Sequence, residues 1–165
     1  MDNFYEQLVT TYETVQYKAI GGVTFISGAL AIFMMLFGQI IPCLFLILIG
    51  AGAFYFKRYL YLEYEYEFTN GEIDIDKIIG RNKRKRVASF NIKQVEILAP
   101  DNSNHIRDLP NKPKKEIRFY PETSKAVIYT AVLKYNGEMV RMKFAFDEGL
   151  INICYKYNPR NVKKI

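Results

Sequence analysis

Five basic residues fall within six positions, Arg81, Lys83, Arg84, Lys85 and Arg86, the densest charge cluster in the chain. Such a run can hold an anion. A basic turn near an anionic lipid leaflet gains about 1 kcal/mol per Lys or Arg. Lys57 and Arg58 would extend the same patch. A structural use competes with this one. Glu72, Asp74 and Asp76 alternate just upstream, and opposite-charge pairs across neighbouring strands contribute roughly 0.2–1 kcal/mol each. The three carboxylates do not form an ion site by themselves, because successive same-face side chains on a strand stand about 6.6 Å apart. A second group of reactive types, Asp101, His105, Arg107, Asp108 and Lys112, lies in the polar stretch from Pro100 to Lys115. Loops of that length are uncommon in compact domains and often carry binding. His105 is the sole histidine, so a two-histidine metal site is excluded, and no Ser/His/Asp set has supporting spacing. No catalytic residue, metal or cofactor is expected.

These groups are positioned by two different kinds of element. From Ala19 to Phe56 there are 38 residues without a charge. As one helix they would extend about 57 Å, nearly twice a hydrocarbon core of roughly 30 Å. Two spans fit, broken at Gly38-Gln39-Ile40-Ile41-Pro42, since Pro is tolerated in a first helical turn. The reading is a hairpin of about Ala19–Gly38 and Ile41–Phe56, with Gly21 and Gly22 facing the Gly50–Ala53 cluster at similar depth. Tyr55, Phe56 and Tyr59 suit the interface, with Lys57 and Arg58 reaching headgroups. Lys18, Lys57 and Arg58 flank the hairpin and its turn is neutral. The positive-inside tendency therefore puts both termini in the cytoplasm of a multi-pass cell-membrane protein. A cleavable signal peptide is not expected, because the apolar run follows acidic residues. Before the hairpin, Phe4, Leu8, Tyr12 and Val15 recur at helical spacing, and Asn3 with Glu6 resembles a capping box. An amphipathic helix is expected there.

After the hairpin the period becomes two. Leu62, Tyr64, Tyr66 and Phe68 alternate with Glu63, Glu65 and Glu67, a half-buried strand. Asn70-Gly71 and Asn136-Gly137 signal tight turns. Further strands are predicted at about 72–77, 84–90, 94–98, 116–120, 126–135 and 139–146. Asp147 then caps a helix bearing Leu150, Ile153, Cys154 and Tyr157, ended before Pro159. Cys43 and Cys154 fall in different environments, and free thiols are expected.

Seven strands and a closing helix give the element order of a pleckstrin-homology-like barrel. The stretch from Glu63 to Leu98, with its acidic-aromatic strand, Thr69-Asn70-Gly71-Glu72, basic strand and Phe90-Asn91-Ile92, resembles an uncharacterised clostridial family of small two-helix membrane proteins. The resemblance implies a PH-like β-domain tethered to a bacterial membrane. Lipid-binding members of that fold often hold phosphoinositide headgroups with basic residues around the first hairpin loop. Here that loop, Thr69-Asn70-Gly71, is tight and uncharged, so that pocket is not carried over.

The expected organisation is an N-terminal helix over 1–18, a transmembrane hairpin over 19–56 and a cytoplasmic PH-like domain over 57–165. From Lys57 onward 22 basic residues face 14 acidic ones, a balance suited to an anionic partner. The expected function is a non-catalytic, membrane-tethered interaction module that binds protein or anionic lipid headgroups and can form a homo-oligomer. An enzyme with its site at the 100–115 loop and an accessory subunit of a membrane complex are the alternatives. Nucleic acid is disfavoured, because most of the 13 tyrosines take core or interface positions instead of forming a stacking platform.

Overall fold

The computed structural model describes residues 4–11, 14–109 and 113–164. The chain divides into two compact units, one of residues 1–11, 63–78 and 84–165, the other of residues 12–62 and 79–83.

The second unit is built on two apolar helices, α1 (Val15–Leu36) and α2 (Ile40–Lys57). Both are long and apolar enough to cross a membrane. Thr14 caps α1, its side chain accepting from the Tyr17 amide at 3.1 Å, so the helix starts four residues before the charge-free run. Gly38, at φ 71°, ends it. The Gly38 amide donates to Met35 O and Gln39 N to Met34 O, which closes off carbonyls that helix ends leave open. Pro42 then falls in the first turn of α2, as expected. Thr24 Oγ1 donates to Ile20 O at 3.0 Å and Ser27 Oγ to Thr24 O at 3.1 Å, so both hydroxyls are satisfied within the helix. The expected contact between the clusters at 21–22 and 50–53 is not made, since Gly21 lies against Lys57 and Gly50 against Ser27. A Cβ on Gly50 would sit 2.6 Å from Ser27 Oγ, whereas Gly22 and Gly52 face open space.

The β-unit holds two four-stranded sheets. Their orders are β1-β2-β3-β4 and β5-β7-β8-β6, with β1 Phe4–Val9, β2 Leu62–Thr69, β3 Glu72–Ile79, β4 Lys83–Asn91, β5 Val95–Pro100, β6 Lys115–Arg118, β7 Tyr129–Tyr135 and β8 Glu138–Phe144. A short helix, α3 (Asn104–Arg107), follows β5, and α4 (Glu148–Tyr157) follows β8. The order of the seven later strands is as expected, but the barrel is not closed and the strand count is eight. β6 runs parallel to β8. Asp147 does cap α4, accepting from the Leu150 amide at 2.8 Å. Cys43 and Cys154 are both buried and free.

The eighth strand corrects the helical reading over Phe4–Val9, within the element expected at 1–18; residues 15–18 are helical as part of α1. Phe4–Val9 pairs antiparallel with β2, from Phe4 opposite Thr69 to Val9 opposite Tyr64. Tyr5, Gln7 and Val9 face inward, leaving Phe4 and Leu8 exposed. An isolated helix this short is marginal in water, while the strand satisfies the open edge of β2. Asn3 and Tyr12, which the helical reading used, lie outside the described residues.

Between the sheets, Tyr66, Phe68, Ile73, Ile75, Phe144 and Phe146 are fully buried. The rings of Phe144 and Phe146 stack at 4.6 Å and 7°. Tyr66 of β2 sends its hydroxyl across the core, donating to Phe119 O at 2.6 Å and accepting from Ala145 N at 3.2 Å. Burial pushes this phenol well above the usual tyrosine range, so it stays a neutral donor and acceptor. Gln7 makes a parallel tie, donating to Ala145 O at 2.8 Å and accepting from Asp147 N at 3.0 Å. Tyr5 adds a bond to Asp147 Oδ2 at 2.8 Å. Gln7→Ala removes two bonds to part-buried backbone groups and is expected to destabilise the β-unit by about 1–3 kcal/mol. Denaturant unfolding of the purified chain checks this, with a midpoint indistinguishable from wild type as the contrary result.

Candidate functional site

The basic run divides where β4 begins. Arg84 and Arg86 belong to the β-unit and are spent on carboxylates. Arg84 Nη2 lies 2.6 Å from Glu65 Oε2. Arg86 reaches Asp76 Oδ1 at 3.0 Å, Asp74 Oδ2 at 2.5 Å and Glu67 Oε2 at 3.7 Å. This is the cross-strand ladder that competes with an anion patch. It holds for the arginines only, since Lys83 and Lys85 are exposed and form no ion pair among the described residues. The ladder does not neutralise every acid on the face. Burial and a hydrogen bond with Glu6 raise the Glu65 carboxyl above the usual range despite Arg84.

Lys57, Arg58, Arg81 and Lys83 belong to the helical unit, and aromatic rings sort them. Lys57 Nζ stands 4.4 Å from the Tyr17 ring centre. The Arg58 guanidinium lies 4.0 Å over Tyr55 and 5.2 Å from Tyr59. Arg81 donates to Tyr61 Oη at 3.0 Å and lies 4.5 Å over that ring. Each contact is worth about 0.5–1 kcal/mol when exposed, more when desolvated.

The Gly80–Lys83 turn approaches the end of α2. Gly80 N donates to Tyr61 O at 2.9 Å. Gly80 has φ 60°, and a Cβ there would meet Arg58 Cβ at 3.1 Å and Arg58 O at 3.2 Å. Only glycine meets both demands easily. Arg58, Tyr59, Ile79, Gly80, Asn82 and Lys83 enclose a pocket of about 140 Å³. The sequence flagged its two cations. Tyr59 was assigned to the interface alone.

The segment after Pro100 is not an irregular loop of sixteen residues. Ile106 is buried and anchors α3, leaving His105, Arg107 and Asp108 exposed; Lys112 lies outside the described residues. Asp101 is drawn elsewhere, accepting from Thr130 Oγ1 at 2.6 Å and Lys143 Nζ at 3.1 Å. Asp101 and His105 line two pockets, of about 670 and 390 Å³, that have Lys164 in common. No group of three or more His, Cys, Asp or Glu residues suited to a metal occurs among the described residues.

Burial raises the Asp101 carboxyl, but bonds from Thr130 and Lys143 outweigh it and hold the group below its ordinary value. Glu116 is likewise lowered against burial, by Arg118 and Lys143. A carboxylate held ionised in this way is a poor proton shuttle near neutral pH.

A folded-state pKa below the unfolded one gives stability that is present above the unfolded value and lost as pH falls through the folded one. Asp101→Asn is therefore expected to lower the melting temperature at pH 7 and to flatten its fall between about pH 5 and pH 2; an acid limb parallel to wild type would contradict the assignment. On the ladder, Arg86→Ala is expected to cost about 1 kcal/mol, while Lys85→Ala stays within about 0.5 kcal/mol. Chemical denaturation separates the two.

Residues 1–164 match the family described as Bacterial PH-like domain (DUF6106). No curated protein and no solved structure matches the chain.

Proposed function

This chain belongs to the bacterial PH-like domain family, and from that premise we propose that it is a membrane-anchored, non-catalytic interaction module. Its two apolar helices cross the cytoplasmic membrane as a hairpin, both termini stay in the cytoplasm, and the β-unit offers its surface there to a protein partner or to anionic lipid.

One observation carries the reading. β1 lies before the hairpin and β2 after it, yet the two pair residue by residue from Phe4–Thr69 to Val9–Tyr64. Paired strands stand about 4.8 Å apart. An apolar segment that crossed the bilayer once would leave them on opposite sides, so the pairing supports an even number of crossings. Lys57 and Arg58 at the end of α2 and the neutral Gly38-Gln39 turn favour the cytoplasm as the shared side. The non-catalytic part rests on the ion pair with Lys143 and the hydrogen bond from Thr130 that engage Asp101.

Single cysteines placed at Thr10 and at Lys125, in a background with Cys43 and Cys154 replaced by Ser and Ala, test this in intact cells and inverted vesicles. Both are expected to react with an impermeant maleimide only in inverted vesicles, and the chain is expected to stay in the membrane pellet at alkaline pH. Labelling of the two positions from opposite sides, or release of the chain into the supernatant, would overturn the reading.

A further inference from the structure

We propose that the pocket at the end of α2 binds the phosphate headgroup of an anionic phospholipid. The inference rests on the membrane anchoring proposed above and adds a ligand class and a place.

The pocket has two cations and no acid in its wall. Arg58 and Lys83 line it with Tyr59, Ile79, Gly80 and Asn82, and neither cation forms an ion pair among the described residues. Lys57 and Lys85 also lack an ion pair among the described residues, but neither lines this pocket; Arg81 is engaged by Tyr61 and Arg84 and Arg86 by carboxylates.

The Arg58 guanidinium is also fixed before any ligand arrives. Tyr55 and Tyr59 lie against it, and their hydroxyls meet at 3.0 Å. Stacking occupies the face of the guanidinium, the two tyrosine hydroxyls take part of its edge, and the N–H groups that remain suit phosphate oxygens. Gly80 gives the turn its close approach to Arg58. The Asn82 amide adds a neutral polar group, and Ile79 an apolar wall.

Position selects a lipid over a free anion. Arg58 directly follows α2, whose eighteen residues hold one charge, Lys57 at its end. If α2 spans the bilayer, a residue at that point stands at headgroup depth, where the phosphate of a neighbouring lipid is always within reach. A soluble anion would have to compete with that surface.

The purified full chain in nanodiscs of phosphatidylcholine with a minor fraction of phosphatidylglycerol tests the site. Spin-labelled forms of both lipids report association with the protein. Wild type is expected to prefer phosphatidylglycerol about fivefold, the equivalent of about 1 kcal/mol. Lys83→Gln and Arg58→Gln are expected to bring the ratio near one, while Lys85→Gln, exposed but outside the pocket, leaves it unchanged. Equal losses from Lys83→Gln and Lys85→Gln would show a diffuse surface field and overturn the site, as would a wild type without preference. Displacement of the labelled lipid by inorganic phosphate at constant ionic strength would assign the pocket to a free anion. A chain that fails to stay in the lipid disc would sink the anchoring reading itself; a chain retained without preference sinks only the headgroup site.

Discussion

The structure depends on one pairing, the antiparallel ladder between β1 and β2. The two strands are neighbours in space and separated in sequence by α1 and α2. Whatever environment takes up the apolar helices, they must return the chain to within one strand spacing of where it left. The turn at Gly38 and the first-turn position of Pro42 make that return possible. Closing such a long connection costs entropy that grows only slowly with its length. The antiparallel packing of α1 and α2 brings the ends of the connection together, which offsets part of that cost. The helical hairpin is thus an insertion between two paired strands of the β-unit, which an appended tail would not be.

The ties that hold β1 are polar. Gln7 and Tyr5 connect the edge strand to Ala145 and to Asp147, the cap of α4. Tyr66 does the same from the centre of the sheet, between Phe119 and Ala145. All three bridge the two sheets or the helix that follows them. The aromatic core would bury its area in several arrangements, since stacked rings tolerate sliding. Hydrogen bonds to single backbone atoms do not. Burial supplies the driving force, and these few buried bonds select the register.

Much of this was legible in the sequence because its signals were local. The charge-free run, the Gly38–Pro42 break, the Asn-Gly turns and the Asp147 cap each rest on residues close together, and each stands in the structure. β1 was misread because Phe4 and Leu8 have helical spacing while the inward side of the strand is Tyr5, Gln7 and Val9. A glutamine among inward positions hides the alternation, and its partners lie some 140 residues away in sequence. Long-range pairing overrode local pattern. The same blindness explains the sheet layout, since the parallel match of β6 with β8 leaves no trace in either strand alone. The sixteen-residue loop was overestimated because one buried side chain, Ile106, is enough to anchor a turn of helix.

The candidate site shows how far charge counting reaches. Seven basic residues, Lys57, Arg58, Arg81, Lys83, Arg84, Lys85 and Arg86, read as one patch, but their chemistry differs according to what each meets. An arginine bonded to two or three carboxylates has little potential left to offer an outside anion, and one laid over a tyrosine keeps most of its charge. Arg86 and Arg58 are these two cases, and both are arginines with exposed neighbours in sequence. What separates them is the acidic face of β2 and β3 on one side of Lys83 and the tyrosines around α2 on the other. The acidic-aromatic alternation of β2 therefore has two consequences. Its aromatic half fills the core, and its acidic half takes up Arg84 and Arg86 of β4, which leaves Lys85 on the strand and Arg58 and Lys83, sharing one wall at the turn and helix end, without a carboxylate.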